Sequence, residues 1–347
     1  MTVTAGVPSL SIVIPLYNEP DWIARCVQNA VQAVQGSPVA ARAELVIVDD
    51  GSDAPTKEAL AALSASVPTR VISQENRGRF EARKAGIEAA RGDLVLLLDS
   101  RVLIDDDSLR FVYSLLDGDP LPVWNGHVDV EVTRNPFARF WRTIAFAAWP
   151  DYLQNPRTMS YGLDDYDRYP KGTTCFLAPR EALVSALAQF RSMYEDPRFA
   201  NDDTVLIRSI AEGNRINLSP GFACRYHARD SLPRFLRHSF HRGIVFVDGF
   251  ARPGTRFFPV IVAFFPSSVA FAVLAAKRPL WAAAVAGSVP LVAGAWAARL
   301  RRPPADVIAF AALSGPFTAA YSAGIWRGGL MAVRARLLAR RRRRSAG

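Results

Sequence analysis

The sequence predicts an α/β fold: a mostly parallel sheet with helices on both faces, followed by a C-terminal helical membrane region. Three observations carry this. The first hundred residues alternate β-rich apolar runs with helical patterns, which builds βαβ units and a parallel sheet. Those runs are apolar almost without a break, as in strands covered on both faces. Residues 257–326 are mostly Ala, Val, Leu, Phe and Pro, in three segments each long enough to cross a bilayer.

The elements follow in order. Residues 10–16 form the first strand, closed by Pro15 and Asn18. Residues 21–35 form a helix, because Trp22, Ile23, Cys26, Val27, Ala30, Val31 and Val34 recur at helical spacing. Strand 45–48 ends in Asp-Gly, helix 56–66 follows, and 70–73 is a short strand. Helix 79–90 is stopped by Gly92, and 94–98 is the fourth strand. Beyond it, 121–132 reads as sheet, 135–149 as an aromatic-rich helix along a cleft or the membrane, and 152–169 as a polar loop region. Residues 172–177 read as a strand; 180–189 and 202–212 read as helices, the second stopped by Gly213.

The apolar segments are 257–276, 280–298 and 307–326. About 20 residues at 1.5 Å each span about 30 Å, the thickness of a bilayer core. Pro266, Pro290 and Pro316 are tolerated there where neighbours re-satisfy the backbone. Arg299, Arg301 and Arg302 place the loop after the second segment on the cytoplasmic side. A third full crossing would put the arginine tail outside, so the third segment is expected to be re-entrant or tilted, or the tail to lie on an interface.

The 347 residues carry a net charge of +10, much of it between Arg334 and Arg344. That stretch fits either a solvated end or a juxtamembrane patch drawn to anionic lipid by about 1 kcal/mol per Arg. No aromatic residues are interleaved with the arginines, so no nucleic-acid partner is expected. Cys26, Cys175 and Cys224 show no metal spacing, which fits a reducing compartment without a disulfide framework. Residues 1–10 lack the pattern of a signal peptide, so the N-terminal domain is expected in the cytoplasm.

Three strands end in acids: Ser11-Ile-Val-Ile-Pro-Leu-Tyr-Asn-Glu19, Glu44-Leu-Val-Ile-Val-Asp-Asp-Gly-Ser-Asp53 and Val95-Leu-Leu-Leu-Asp-Ser-Arg101. Ligands of such sheets bind beyond the carboxyl ends of the strands, where Asp49, Asp50 and Asp99 fall. One cleft for a cation or a phosphorylated ligand is expected. Simpler readings stay open. Asp50-Gly51-Ser52 fits a plain turn, Arg83 a solvated helix face, and Asp105, Asp106 and Asp107 a solvated helix start. Asp202 and Asp203 also fit acids in the first turn of a helix capped by Asn201.

These segments, with Asn76-Arg-Gly-Arg-Phe-Glu-Ala-Arg-Lys-Ala-Gly86 and Ala90-Arg-Gly-Asp93, resemble the family 2 glycosyltransferases of GT-A (Rossmann-like) fold. Order and spacing match over residues 10–105; Gly172-Thr-Thr-Cys-Phe-Leu177 and Asn201-Asp-Asp-Thr204 extend the match to about residue 215. The resemblance implies an inverting transferase of hexosyltransferase type that uses a nucleotide-sugar donor, a UDP-sugar. Asp50 would pair with the uracil ring N–H, with Pro15, Tyr17 and Glu19 lining the pocket. Arg83 would meet the pyrophosphate, since guanidinium suits phosphate geometry; Lys84 replaces the more usual Asn. Asp203 would be the base that takes the acceptor's proton, supported by Asp202.

Asp99 would be a ligand of Mg²⁺ or Mn²⁺, which acts as Lewis acid on the leaving group. The family pattern is Asp-x-Asp, yet Arg101 stands in the third position. Three readings follow: His227 completes the metal shell, Arg101 itself neutralises the diphosphate, or the chain is a non-catalytic sugar-nucleotide-binding membrane component. His227 and Arg234-Phe-Leu-Arg-His-Ser-Phe-His-Arg-Gly243 resemble membrane-attached members of the succinoglycan type. The Gln-x-x-Arg-Trp motif of processive synthases is absent. Arg234, Arg237 and Arg242 would hold the donor diphosphate or a polyprenyl-linked acceptor's phosphate, or anchor the chain to the membrane surface. The implied acceptor is lipid-linked or a polysaccharide at the cytoplasmic face of the cell membrane; direct transfer to polyprenyl phosphate is the alternative. The expected division is a GT-A domain over 1–243 (nucleotide half about 8–118, acceptor half about 119–243), a membrane region over 244–333 and a basic tail over 334–347.

Overall fold

The computed structural model describes residues 6–116 and 121–345, with side chains through Leu338. The start of the chain, the expected 118/119 boundary and the side chains of Arg340–Arg344 lie outside these.

The first four strands pair in parallel in the order β3 (Thr69–Ser73), β2 (Ala43–Asp49), β1 (Leu10–Leu16), β4 (Leu94–Leu98). β3 is half-exposed at the sheet edge, and the apolar continuity of β1, β2 and β4 has the expected cause. Successive side chains point to opposite faces, and each face is covered. Ile12, Ile14, Leu45, Ile47, Leu96 and Leu98 pack with α1 (Pro20–Gln35) through Ile23, Val27 and Val34. Val13, Val46, Val48, Val95 and Leu97 pack with α3 (Arg79–Ala89) through Ala82 and Ile87. Register keeps the strand ends level, with Leu16 opposite Asp49 and Val13 opposite Leu97.

Beyond β4 the sheet is mixed. β8 (Cys175–Pro179) runs antiparallel to β4 and to β6 (Val123–Val130), and β9 (Ile216–Tyr226) runs parallel to β6. β5 (Val102–Ile104) and β7 (Met159–Tyr161) pair antiparallel with β9. α2 (Ala54–Ala61), α4 (Ser108–Ser114), α5 (Pro136–Ala148), α6 (Pro150–Leu153), α7 (Arg180–Gln189) and α8 (Asp202–Ala211) complete this part. The expected polar loop at 152–169 is instead half core. Tyr152, Tyr161, Tyr166 and Tyr169 are buried, and β7 runs through it. Tyrosine hides this in a sequence, because an apolar ring with a polar tip fits either environment.

The chain divides into two compact units. One unit comprises Met1–Glu131, Asp151–Arg191 and Asp202–His227; the other comprises Val132–Pro150, Ser192–Asn201 and Ala228–Gly347. In the second unit, α9 (Leu232–Phe250) is amphipathic and lays its apolar face on other members of that unit. Phe235 packs on Phe140 and Phe310 packs on the same ring, while Ile244 packs with Tyr194 and Ala332. Asp248, buried on α9, accepts hydrogen bonds from the backbone N–H of Met193 (2.6 Å) and Asn201 (2.7 Å) and from Ser192 Oγ (3.0 Å). That carboxylate draws 192–201 into the second unit.

α10 (Phe258–Lys277), α11 (Pro279–Arg299) and α12 (Pro304–Ser345) are long and apolar enough to cross a membrane. The expected third segment, 307–326, falls in the N-terminal half of α12. α12 touches α9 backbone to backbone at Gly243 and Gly324; a Cβ on Gly243 would stand 2.2 Å from the Tyr321 carbonyl oxygen.

Candidate active site

Strand ladders bring the acids together. Leu98 faces Cys175 across β4 and β8, and the next rung is the Asp99 N–H donating to the Thr174 carbonyl at 3.0 Å. Asp99 therefore stands beside the start of β8, where Thr173 lies. Arg79 and Arg83 are one helical turn apart on α3 and share a face. α8 opens with Asp202 and Asp203.

Arg83 is the hub. Its guanidinium is buried and donates to Asp99 Oδ1 (2.6 Å), to Asp202 and to Asp203 Oδ1 (3.2 Å). Arg79 Nη2 reaches Asp202 Oδ1 at 3.0 Å, and Thr173 Oγ1 donates to Asp203. Arg83 is thus no solvated helix face. Burial works against its charge, but Asp202, Asp99 and Asp203 outweigh burial and the repulsion of Arg79, so the group is held more basic than usual. The two adjacent acids differ: the side chain of Asp202 is 2% exposed and that of Asp203 is 28% exposed.

Asp50 is buried and braces a loop. Its carboxylate accepts from Gln74 Nε2 (2.7 Å) and from the backbone N–H groups of Arg77 (2.9 Å) and Gly78 (2.8 Å), just ahead of α3. Gly51 makes this approach possible: its φ is +74°, and a Cβ there would sit 2.7 Å from the Asn76 nitrogen. Pro15 is half-buried within β1, and Tyr17 is exposed beyond its end.

Arg101 joins three strand ends. Val102 faces Tyr226 across β5 and β9, and the next rung pairs Arg101 with His227: the His227 N–H donates to the Arg101 carbonyl at 3.0 Å. The Arg101 side chain folds back, donating Nε–H to the His227 carbonyl (2.8 Å) and Nη1–H to Glu19 Oε2 (2.9 Å). Both charged groups are buried, and the guanidinium lies over Trp22 at 5.0 Å. Glu19 therefore faces a cation of this chain, and Arg101 faces a carboxylate.

His227 stacks on Trp22, ring centres 4.4 Å apart. Burial lowers its pKa; Glu131 opposes, while Arg101, Arg225 and Arg25 add to the lowering, so the ring is neutral near pH 7. Its Nε2 is buried without a hydrogen-bond partner among the described residues. A neutral imidazole with an unused nitrogen suits metal ligation. Among the described residues no three His, Cys, Asp or Glu cluster tightly enough to cage a metal alone. Mg²⁺ binds through one or two protein carboxylates plus substrate phosphates, so Asp99, whose side chain is part-exposed, is of the kind that could serve as such a ligand.

In the second unit, Arg242 lies on α9 over Trp141 at 5.3 Å, and Arg234 pairs with Asp230 at 3.5 Å. Arg237 is exposed. Asp107 directly precedes α4, as a solvated helix start would. Arg79, Thr173 and Trp22 were not singled out from the sequence. The i, i+4 spacing of Arg79 and Arg83 was the one available signal.

Residues 11–182 match the model of glycosyl transferase family 2. The succinoglycan biosynthesis protein ExoO of Rhizobium meliloti is 30% identical over 236 residues, which is 67% of this chain and 64% of that protein. An undecaprenyl-phosphate 4-deoxy-4-formamido-L-arabinose transferase of Pseudomonas fluorescens is 37% identical over 189 residues, 52% of this chain. The chain thus spans 64% and 50% of the lengths of these relatives. Among solved structures, the mannosyltransferase PcManGT of Pyrobaculum calidifontis, in complex with GDP-Man and Mn²⁺, shares the fold at a TM-score of 0.53 and 18% identity, over 88% of this chain and 87% of that one. The matched stretch takes in Glu19, Asp50, Arg83, Asp99 and Thr173, and with these relatives it places the chain in glycosyl transferase family 2.

Proposed function

We propose that the chain transfers a sugar, with inversion, from a nucleotide-sugar donor to a lipid-linked or polysaccharide acceptor at a membrane surface. The observation that carries this is the split between Asp202 and Asp203. One is buried between Arg79 and Arg83; its neighbour is open on one side and oriented by Thr173 and Arg83. Inverting transfer needs such a base, fixed in place yet open to a hydroxyl. Asp203 takes the proton from the attacking acceptor hydroxyl, and Asp202 holds the two guanidiniums that orient it. Asp99 and His227 would hold a divalent cation, which would neutralise charge on the leaving diphosphate. Arg83 keeps the Asp99 carboxylate in place.

A UDP-sugar donor, a cell-membrane location with the first unit on the cytoplasmic side, and contact of Arg242 with phosphate belong to the same reading. Support comes from the family, from the ExoO relative and from three helices of membrane-crossing length. Direct transfer to polyprenyl phosphate is the second reading, favoured by the 37% identity to the undecaprenyl-phosphate transferase.

The test is nucleotide release from the purified full chain with candidate donors and lipid extract. Asp203→Asn should lower turnover about 10²–10⁴-fold with nucleotide affinity little changed; equal turnover removes Asp203 from the role of base. Nucleotide binding without turnover under any donor would instead support a non-catalytic component. Mild acid separates the acceptor readings, because a sugar phosphodiester breaks where an ordinary glycoside persists.

A further inference from the structure

From Arg252 to the C-terminus the sequence holds many arginines and one acid, Asp306. Asp306 lies in the first turn of α12 and is fully buried. Three guanidiniums close on it. Arg142 forks onto both oxygens (Nη2 at 2.6 and 2.7 Å, Nε at 3.1 Å), Arg139 Nη1 reaches Oδ1 at 3.1 Å, and Arg302 Nη2 reaches Oδ2 at 2.9 Å. Arg302 also lies over Phe146 at 3.6 Å, and its Nε–H is buried without an acceptor among the described residues.

One carboxylate faces three guanidiniums, which leaves two positive charges without a carboxylate partner among the described residues. The exposure of the three side chains is 25% for Arg139, 25% for Arg142 and 9% for Arg302, so water compensates them only in part. Partly desolvated charge without a partner is costly. The cluster lies where α11 ends and α12 begins, at the ends of two helices of membrane-crossing length. Lipid phosphates are concentrated at that depth, and guanidinium forks match their oxygens.

We propose that Arg139, Arg142 and Arg302 form a binding site for the phosphate of an anionic membrane lipid, with Asp306 preorganising the three guanidiniums. This rests on the membrane part of the function reading and is independent of sugar transfer. Phosphate oxygens accept from the outward N–H groups of Arg139 and Arg142 and from Arg302, while the acyl chains lie along α11 and α12.

The experiment uses the full chain in neutral detergent, titrated with phosphatidylglycerol, phosphatidylcholine or inorganic phosphate and read as thermal stabilisation and by native mass spectrometry. Phosphatidylglycerol should bind and stabilise more strongly than phosphatidylcholine. Arg139→Gln leaves Asp306 with Arg142 and Arg302 and should weaken that binding about fivefold, the worth of one arginine near an anionic surface. Replacing the seven arginines of the tail (334–347) by Gln should leave it unchanged. Should Arg139→Gln fold poorly, Arg139→Lys carries the test: it keeps the charge beside Asp306 but loses the guanidinium fork, and should weaken phosphatidylglycerol binding. Equal binding of the two lipids, unchanged affinity in both variants, or loss only in the tail variant overturns the site. Saturation by inorganic phosphate at the same concentration overturns its assignment to a lipid. A chain that stays soluble without detergent overturns the membrane reading beneath it.

Discussion

Replacing Arg83 by Met keeps much of the side chain's volume and removes the one group that touches Asp99, Asp202 and Asp203 together. Removing one partner of a buried ion pair costs about 3–5 kcal/mol, because the other charge stays behind. Asp202 would keep only Arg79, which is partly exposed and can move to cover part of the loss. The expected loss for Arg83→Met is therefore near the lower end, about 3 kcal/mol. Hydrogen exchange followed by mass spectrometry suits a chain of two units, since it reads local stability segment by segment. Protection should fall in the peptides of α3, α8 and the β4–β8 pair, and stay unchanged in α10 and α11. Adding Asp202→Asn to Arg83→Met removes the stranded carboxylate, so the double variant should lose less than the two single losses together by at least about 1 kcal/mol. A loss below about 1 kcal/mol for Arg83→Met, or strict additivity in the double, would refute the view of Arg83 as the hub.

Arg101→Asp places a second carboxylate beside buried Glu19 and should cost about 3–5 kcal/mol, whereas Arg101→Met with Glu19→Gln should cost far less; equal thermal stability of the two would dismiss the pair. Asp248→Ala strips the acceptor from Met193, Asn201 and Ser192, at about 1–3 kcal/mol for a stranded buried donor, and should expose 192–201 to limited proteolysis; an unchanged digest argues against the anchor. His127, in contact with Tyr152 Oη at 3.2 Å, has its pKa lowered by burial, with Asp129 and Asp105 opposing more weakly. The unfolded chain therefore takes up this proton first, and stability falls as the pH drops below the ordinary histidine value of about 6.5. His127→Gln should flatten that part of the stability–pH curve; an unchanged slope would assign the acid sensitivity to other groups.

β1, β2 and β4 were legible because both faces are buried, so each is an almost unbroken apolar run followed by an acid, whereas β3 lies half-exposed at the sheet edge. The membrane-length helices were legible from composition alone, which suffices over about 20 residues. β5 and β7 were not, since three-residue strands show no period. β9 was hidden by Ser219-Pro220-Gly221, which reads as a turn although the strand continues past it with a shift in register. α9 was read as a basic run because Arg234, Arg237 and Arg242 lie on its exposed side. The family motifs drew attention to Asp50, Asp99, Asp202 and Asp203. They could not show that Asp50 braces a loop, or that Arg79 and Arg83 hold the late pair, because those are contacts between elements up to 123 residues apart. Asp306 escaped notice as the edge of an apolar segment, since a lone acid there reads as a solvated cap until its three arginines are found around it.

The Asp99-Ser100-Arg101 departure gains a physical meaning once the charges are assigned to partners. Arg101 and Glu19 cancel each other in a buried pair that ties the ends of β1, β4 and β9. Neither charge is then available at full strength to a diphosphate. What remains is Asp99, Asp202 and Asp203 against Arg79 and Arg83, a cluster with one negative charge in excess. A diphosphate brought alone to such a cluster meets net repulsion. A divalent cation bound there would reverse the sign; Mg²⁺ needs only one or two carboxylates when the ligand's own oxygens fill the other positions. The arginine in the third position works as a strut, held by Glu19 and the His227 carbonyl, while the buried guanidinium of Arg83 fixes how Asp99 points.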